Sequence, residues 1–175
     1  PAEKELTAKE VGRLWADLAD EDAAKAFKAM WAVVLHPKSA LPLVRKNLKA
    51  VANPKPEDIA RLVGDLDSND FATRQRATAE LSLIADVVAP QLREARKGTT
   101  SKEVQRRLDA VLKHAGPLVT NNEKLRRLRA IEALEHIGTK EAKAILEEVA
   151  RGAPAALETQ SARESLARLA KRVAP

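Results

Sequence analysis

The sequence predicts an all-α protein, built as a right-handed solenoid of about ten helices in three related units. Leucine and alanine dominate the chain, aromatic residues make up 2% and charged residues 32%, which is typical of packed amphipathic helices. Apolar residues recur at helical spacing between glycines and prolines, and no segment alternates apolar and polar residues as a strand would. Related residues also recur along the chain at two fixed offsets, which indicates repeated structural units.

The first offset relates the first third of the chain to the second. RLWADLADED, residues 13–22, aligns with RLVGDLDSND, residues 61–70, at an offset of 48. A second alignment, at an offset of 53, repeats the order acid, arginine, alanine and leucine. It places Asp70, Arg74, Ala77 and Leu81 over Glu123, Arg127, Ala130 and Leu134.

Each unit is predicted to contain three helices, and a closing helix at about 156–173 follows the third unit. The first unit, about 7–50, has helices at 7–18, 21–35 and 38–49. The second unit, about 55–98, has them at 56–66, 69–86 and 89–97. The third unit, about 101–151, has them at 101–115, 122–137 and 139–150.

The positions of proline and glycine residues support these helix boundaries. Prolines lie between the apolar runs or at their starts, and single glycines follow the runs, as helix ends require. Asp20, Ser68 and Asn121 are predicted to be the N-caps of equivalent helices. No low-complexity linker interrupts the chain, so residues 1–175 are expected to form a single domain. The start PAEKELTAKE, without an initiating methionine, suggests an excised piece of a longer protein.

Arg74 and Arg127 are interpreted as structural repeat positions. Arg74, Ala77, Leu81 and Ile84 share one helical face, and Arg127 begins the same spacing in the third unit. Each arginine also follows an acid by four residues, Asp70 and Glu123 respectively, which is a favourable helical pairing. A residue that recurs with its acid on the packing face is better explained by packing than by catalysis.

The two tryptophans are also expected to have a structural role. Trp15 lies between Leu14 and Leu18 in the first helix, and Trp31 shares a helical face with Phe27 in the second. Both are predicted to pack between these two helices. The alternative is an exposed aromatic anchor for a partner.

Four stretches of the chain carry a family resemblance: LTAKEVGRLWADLADEDAAKAFKAMW, ARLVGDLDSNDFATRQRATAEL, EVQRRLDAVL and LRAIEALEHIG. The order of acid, arginine, alanine and leucine before a small-residue turn resembles HEAT and armadillo-like repeats, whose period of about 40–47 residues is close to the offset found here. The stretches together also resemble the helical segment beside β-propeller (WD-repeat) regions in planctomycete multidomain proteins. The resemblance implies a helical accessory or interaction module of a larger bacterial protein, and it brings no catalytic residues.

No combination of residues indicates a reaction, a cofactor or a metal ion. The chain has no cysteine, which excludes thiolate sites, and its three histidines lack ligand spacing. DLDSND suggests a calcium loop, but Asp70 stands where that loop needs glycine and Arg76 where it needs glutamate. No apolar run approaches the roughly 20 residues of a membrane helix. We therefore expect a non-catalytic chain; the compartment is left open, with the cytoplasm favoured.

Basic residues offer the alternative to a protein partner. The last 75 residues, 101–175, hold 15 basic and 10 acidic side chains, so they carry most of the net charge of +6. A basic surface on two neighbouring helices could neutralise phosphates and bind nucleic acid without reading its sequence. Its candidate residues are Arg106, Arg107, Lys124, Arg126 and Arg129. Interspersed acids and scarce aromatic residues favour the first hypothesis, a protein-interaction or spacer scaffold.

Overall fold

The computed structural model describes residues 5–116 and 119–173, and within these ranges the chain is helical and contains no strand. The all-α fold class and the number of helices are confirmed. The ten helices are α1 Ala8–Asp17, α2 Ala23–Leu35, α3 Pro37–Asn47, α4 Pro56–Asp65, α5 Phe71–Leu83, α6 Ala85–Gly98, α7 Lys102–Lys113, α8 Asn122–Ile137, α9 Lys140–Ala150 and α10 Leu157–Val173.

The offset of 48 reappears in the positions of the first six helices. Helices α4, α5 and α6 begin 48 residues after α1, α2 and α3, and α4 and α5 also end 48 residues after α1 and α2. The third helix of each set contains an internal proline at the equivalent place, Pro42 and Pro90. The local structure therefore recurs as the sequence does. The number of units and the handedness of a solenoid stay predictions.

The predicted N-caps Asp20 and Ser68 were wrong by two residues. Asp22 caps α2 by accepting from Ala24 N, and Asp70 caps α5 by accepting from Ala72 N and Thr73 N. The side chains of Asp20 and Ser68 instead bind the backbone of the residues that do cap the helices. Asp20 accepts a hydrogen bond from Asp22 N at 3.0 Å, and Ser68 accepts one from Asp70 N at 3.2 Å. Both pairs are polar residues two positions apart, so residue type alone did not distinguish the cap from the turn before it.

The boundary between α5 and α6 also differs from the prediction. The chain turns at Ile84, so α6 begins at Ala85 and contains Pro90 well inside it, rather than near its start. Ala85, Val88 and Leu92 are all buried and lie at helical spacing, so burying this face places residues 85–88 in the later helix. The missing N–H of Pro90 costs one backbone hydrogen bond within α6.

Contacts between Cα atoms divide the chain into two compact units, residues 1–51 with 122–175, and residues 52–121. We call the first, which contains α1–α3 and α8–α10, the terminal unit, and the second, which contains α4–α7, the central unit. Helix α7, expected to begin a third unit, packs with α5 and α6. In the terminal unit α8 packs against α2, α9 and α10.

Each unit has its own hydrophobic core. The core of the terminal unit includes Leu18, Leu41, Ile131 and Leu146, and both tryptophans pack against it as partly buried side chains. The core of the central unit includes Leu66, Leu81, Leu92 and Leu108. Ala77, Leu81, Ala130 and Leu134, the repeat positions after the arginines, are completely buried. The predicted packing faces of α5 and α8 are thus confirmed.

A close backbone contact in the terminal unit joins the segment after α3 to the turn before α10. Ala153 N donates to Val51 O at 2.6 Å. A Cβ atom at the buried Gly152 would lie 2.9 Å from Val51 O and 2.5 Å from Thr159 Oγ1, so only glycine fits there without movement.

We therefore predict that Gly152→Ala lowers the free energy of unfolding by about 1–3 kcal/mol, the usual cost of overpacking. Gly12→Ala is the matched control, because a Cβ atom at Gly12 in α1 would meet nothing within 4 Å. The control should be stabilised by roughly 0.5–1 kcal/mol through helix propensity. Urea denaturation of both variants measures the difference, and equal stabilities would contradict the close contact.

Candidate functional site

The candidate site is a groove in the central unit between the start of α5 and one face of α7. Two adjoining openings, of about 450 and 440 Å³, share Phe71, Arg106 and Arg107 in their walls. Volumes of this size lie in the lower half of the roughly 300–1,000 Å³ typical of ligand pockets. We call this feature the Phe71 groove.

The cap of α5 places an aromatic ring at the mouth of the groove. Asp70 accepts hydrogen bonds from Thr73 N at 2.8 Å and Thr73 Oγ1 at 2.6 Å, which fixes the first turn of the helix. Phe71 is the first residue of that turn, and it remains 61% exposed. The guanidinium of Arg74 lies over its ring, with Cζ 5.7 Å from the centroid, in a cation–π contact.

Arg107 forms a fixed wall of the groove. Its side chain is only 10% exposed. It donates from Nε to Glu103 Oε1 at 2.6 Å, and from Nη1 to Gln75 Oε1 at 3.1 Å and Thr78 Oγ1 at 3.2 Å. These bonds tie α7 to α5, so the position of the guanidinium is determined by the fold.

Arg106, the next residue on α7, behaves differently. Its side chain is 75% exposed and donates one hydrogen bond, from Nη2 to Glu103 Oε2 at 2.8 Å. Its Nε and Nη1 atoms donate to no other residue in the part of the chain that the structure describes. Arg106 is therefore a charged donor that a ligand could reach.

Two carboxylates in the walls balance part of this charge. Glu103 lies between Arg106 and Arg107, and hydrogen bonding from Arg107, reinforced by the nearby charge of both arginines, holds the pKa of its carboxyl below the ordinary value. Asp67 accepts a hydrogen bond from Ser101 Oγ at 2.7 Å. Hydrogen bonding from Thr73 likewise lowers the pKa of Asp70, the cap beside the groove.

Among the residues predicted to form a basic surface, Lys124 is the clearest correction. Its side chain is 1% exposed, and Nζ lies 3.7 Å from Oε2 of Glu158, which is equally buried. A side chain enclosed in this way cannot reach a phosphate. The sequence pattern placed Lys124 at the surface because its partner comes from α10, which is distant in the chain.

Arg126 and Arg129 in α8 are also engaged within the terminal unit. Arg126 is 21% exposed, pairs with Glu123 at 2.6 Å and lies over the ring of Trp15, 5.6 Å from its centroid. Arg129 donates from Nη1 to Leu18 O at 2.6 Å and Asp20 O at 3.1 Å. Most of the positive charge expected at the surface is therefore used to bind other parts of the fold.

The repeat arginines make different contacts in the two units. Arg74 donates from Nη1 to Ser68 O at 2.6 Å and Asn69 O at 3.1 Å, while Asp70 is occupied as a helix cap. The predicted direct pairing of Arg74 with Asp70 is therefore replaced by a bond to the preceding turn.

Arg127 pairs with Glu123 as predicted, but at the longest distance that still counts as an ion pair. Its Nε lies 4.0 Å from Glu123 Oε1, and its Nη1 lies 3.8 Å from Oε1 of the buried Glu158. Arg127 and Lys124 thus approach the same carboxylate on α10.

Sequence reasoning missed Phe71. The signal available was a single large apolar residue in the otherwise polar first turn FATRQR, directly after an acidic cap. Two other large apolar side chains, Phe27 at 59% and Leu35 at 64%, are similarly exposed on α2. The ring of Phe27 contacts Trp31 edge to face, with centroids 6.1 Å apart.

Across residues 5–116 and 119–173, no group of three or more histidine, aspartate or glutamate side chains is arranged to hold a metal ion. In the same residues no helix has the length and apolar character needed to cross a membrane.

We predict that the two adjacent arginines of the groove differ in their effect on stability. Arg107→Ala should lower the free energy of unfolding by about 1.5–3 kcal/mol, because it removes charge-assisted hydrogen bonds from a buried position. Arg106→Ala, at an exposed position, should stay within about 0.5 kcal/mol of the wild type. Chemical denaturation measures both, and a similar loss in the two variants would contradict the assigned roles.

We also predict a pH dependence from Glu103. Because its folded-state pKa lies below the unfolded value of about 4.3, its contribution to stability is present at neutral pH and is lost as the pH falls through the folded-state pKa. The stability difference between wild type and Glu103→Gln should therefore be largest at neutral pH and shrink on acidification. Denaturation curves over a pH series test this, and a difference independent of pH would rule it out.

Comparisons with known proteins add no assignment: no family model, no curated protein and no solved structure matches the chain. The resemblance to HEAT-like repeats therefore stays an expectation from the sequence.

Proposed function

We propose that the chain is a non-catalytic protein-interaction module. The observation that carries this proposal is Phe71, a large aromatic side chain that is 61% exposed beside the 75% exposed Arg106 in an open groove. Aromatic residues and arginine are the side chains most enriched where proteins bind one another. Because the fold leaves this ring largely exposed, a partner that covers it would gain the free energy of burying apolar surface.

The architecture that we propose for this module is a right-handed, HEAT-like α-solenoid of three related units. For the first two units the support is the recurrence of helix starts, cap residues and internal prolines at an offset of 48. For the third unit it is the sequence recurrence of acid, arginine, alanine and leucine at an offset of 53. Repeat architectures expose long edges and grooves and can act as scaffolds or spacers without any special chemical group. The resemblance of the sequence to helical segments of bacterial WD-repeat proteins agrees with such a role.

Nonspecific nucleic-acid binding is the alternative, and the geometry favours it less. A phosphate-binding surface needs several basic side chains free to reach the backbone of the nucleic acid. Lys124 is buried, Arg107 is 10% exposed, and Arg129 donates to the carbonyl groups after α1. Of the five candidate residues, Arg106 alone is recorded with a mostly exposed side chain.

The proposal predicts that selection of short random-sequence peptides against the immobilised chain recovers binders, and that single-stranded and duplex oligonucleotides do not bind at physiological salt. The peptide complexes should weaken only modestly as salt is raised, because apolar burial is not screened. Fluorescence anisotropy measures both kinds of binding over the same salt series.

The opposite outcome would contradict the proposed protein-interaction function. Oligonucleotide binding that falls steeply with salt, together with no recovered peptide, would replace the proposed function by the nucleic-acid alternative. Substituting Arg106 with glutamine in that experiment would show whether its charge contributes to the salt dependence.

A further inference from the structure

We propose that the Phe71 groove binds a partner segment that presents a carboxylate beside an apolar side chain, with the carboxylate on Arg106 and the apolar group on Phe71. This inference rests on the proposed protein-interaction function and names the chemistry of the partner. It concerns the central unit alone.

Arg106 has hydrogen-bond donors that the described part of the fold leaves unused. A guanidinium carries five N–H donors in a planar fork, and the fork matches a carboxylate in a bidentate pair. Arg106 uses Nη2 for Glu103, while Nε and Nη1 have no partner among the residues that the structure describes. Both bidentate edges of a guanidinium include Nη2, and its second N–H remains available beside Nε or Nη1. An incoming carboxylate can therefore bind one of these edges without breaking the existing ion pair.

Apolar surface lies in the same groove as that donor. Phe71 is 61% exposed, and the groove beside it continues along Gln75, Thr78 and Ala110. Covering apolar surface stabilises a complex by roughly 25 cal/mol per Å² before the costs of association. A leucine or phenylalanine of the partner would obtain this contact only while lying close to Arg106, which links the two requirements.

Hydrogen bonds hold the Arg107 wall of the groove in position. Arg107 is held by Glu103, Gln75 and Thr78, and Thr78 itself donates from Oγ1 to Arg74 O at 2.7 Å. The wall of the groove is thus fixed before a partner arrives. Fixed walls lower the conformational entropy lost on binding, so a short segment can suffice.

Charge selects a peptide over a polyphosphate. The walls contain three guanidinium groups, from Arg74, Arg106 and Arg107, and two carboxylates, from Asp67 and Glu103. The small positive excess suits one incoming carboxylate. A run of phosphates would lie against Asp67 and Glu103 and be repelled by them.

The test uses three synthetic peptides and the full chain labelled with nitrogen-15. The first peptide has blocked ends and contains a single glutamate next to a leucine between glycine and serine residues. The second replaces the glutamate with glutamine, and the third replaces the leucine with serine. The first peptide should shift the amide signals of Phe71, Arg106 and Arg107. The other two should bind about tenfold more weakly, since each lacks one of the two contacts.

Matched variants locate the binding. Arg106→Gln and Phe71→Ala should each weaken the first peptide about tenfold. Arg76→Gln removes the same charge from a 61% exposed site on α5 outside the groove, and Phe27→Ala removes a 59% exposed ring from α2. Both controls should bind like the wild type. Unchanged amide signals away from the groove show that each variant is folded.

The outcomes separate this inference from the function on which it rests. Peptide signals that map outside the groove, equal binding of the three peptides, or no binding at millimolar concentration would each overturn the inference. Random-sequence peptides recovered by selection would still support the proposed function in those cases. A single-stranded oligonucleotide that shifts the groove signals while no peptide does so would overturn both.

Discussion

Hydrogen bonds from arginine side chains to the carbonyl groups of helix-ending turns are the interaction on which both units depend. In the central unit Arg74 of α5 binds Ser68 O and Asn69 O, after the end of α4. In the terminal unit Arg129 of α8 binds Leu18 O and Asp20 O, after the end of α1. The carbonyl groups of these turns have no intrahelical partner, and a guanidinium satisfies two of them at once with directed hydrogen bonds.

This use of arginine explains how a chain with so few aromatic residues positions its helices. Arg107 ties α7 to α5 through Gln75 and Thr78, and Arg126 lies over Trp15 of α1. An arginine stem covers apolar surface while its head makes directed bonds, which combines packing with orientation. The consequence for function is that the net charge of +6 is a poor guide to the charge available to a ligand.

Much of the local structure could be predicted from the sequence, because periodicity and punctuation are local properties. The ten helices and the buried positions Ala77, Leu81, Ala130 and Leu134 follow from spacing alone. The exposure and the contacts of individual charged side chains do not follow from spacing.

The environment of a charge depends on neighbours that are distant in the chain. The sequence pattern predicts Lys124 at the surface, whereas in the structure Glu158 of α10 lies beside it and both side chains are buried. Arg106 and Arg107 are adjacent residues of the same type, yet the side chain of Arg106 is 75% exposed and that of Arg107 only 10%. The packing of α7 against α5 gives the two arginines their different environments. The same packing places Phe71 in a groove with both of them.

The most direct test of this account is nitrogen-15 NMR of the arginine side chains in the full chain. Hydrogen bonds to fixed acceptors slow the rotation of a guanidinium and its exchange with water. Arg74, Arg107 and Arg129 should therefore give separate, slowly exchanging Nη signals, while Arg106 gives a single averaged signal. Averaged signals from all four would contradict the claim that arginine–carbonyl and arginine–hydroxyl bonds hold the helices within each unit in place.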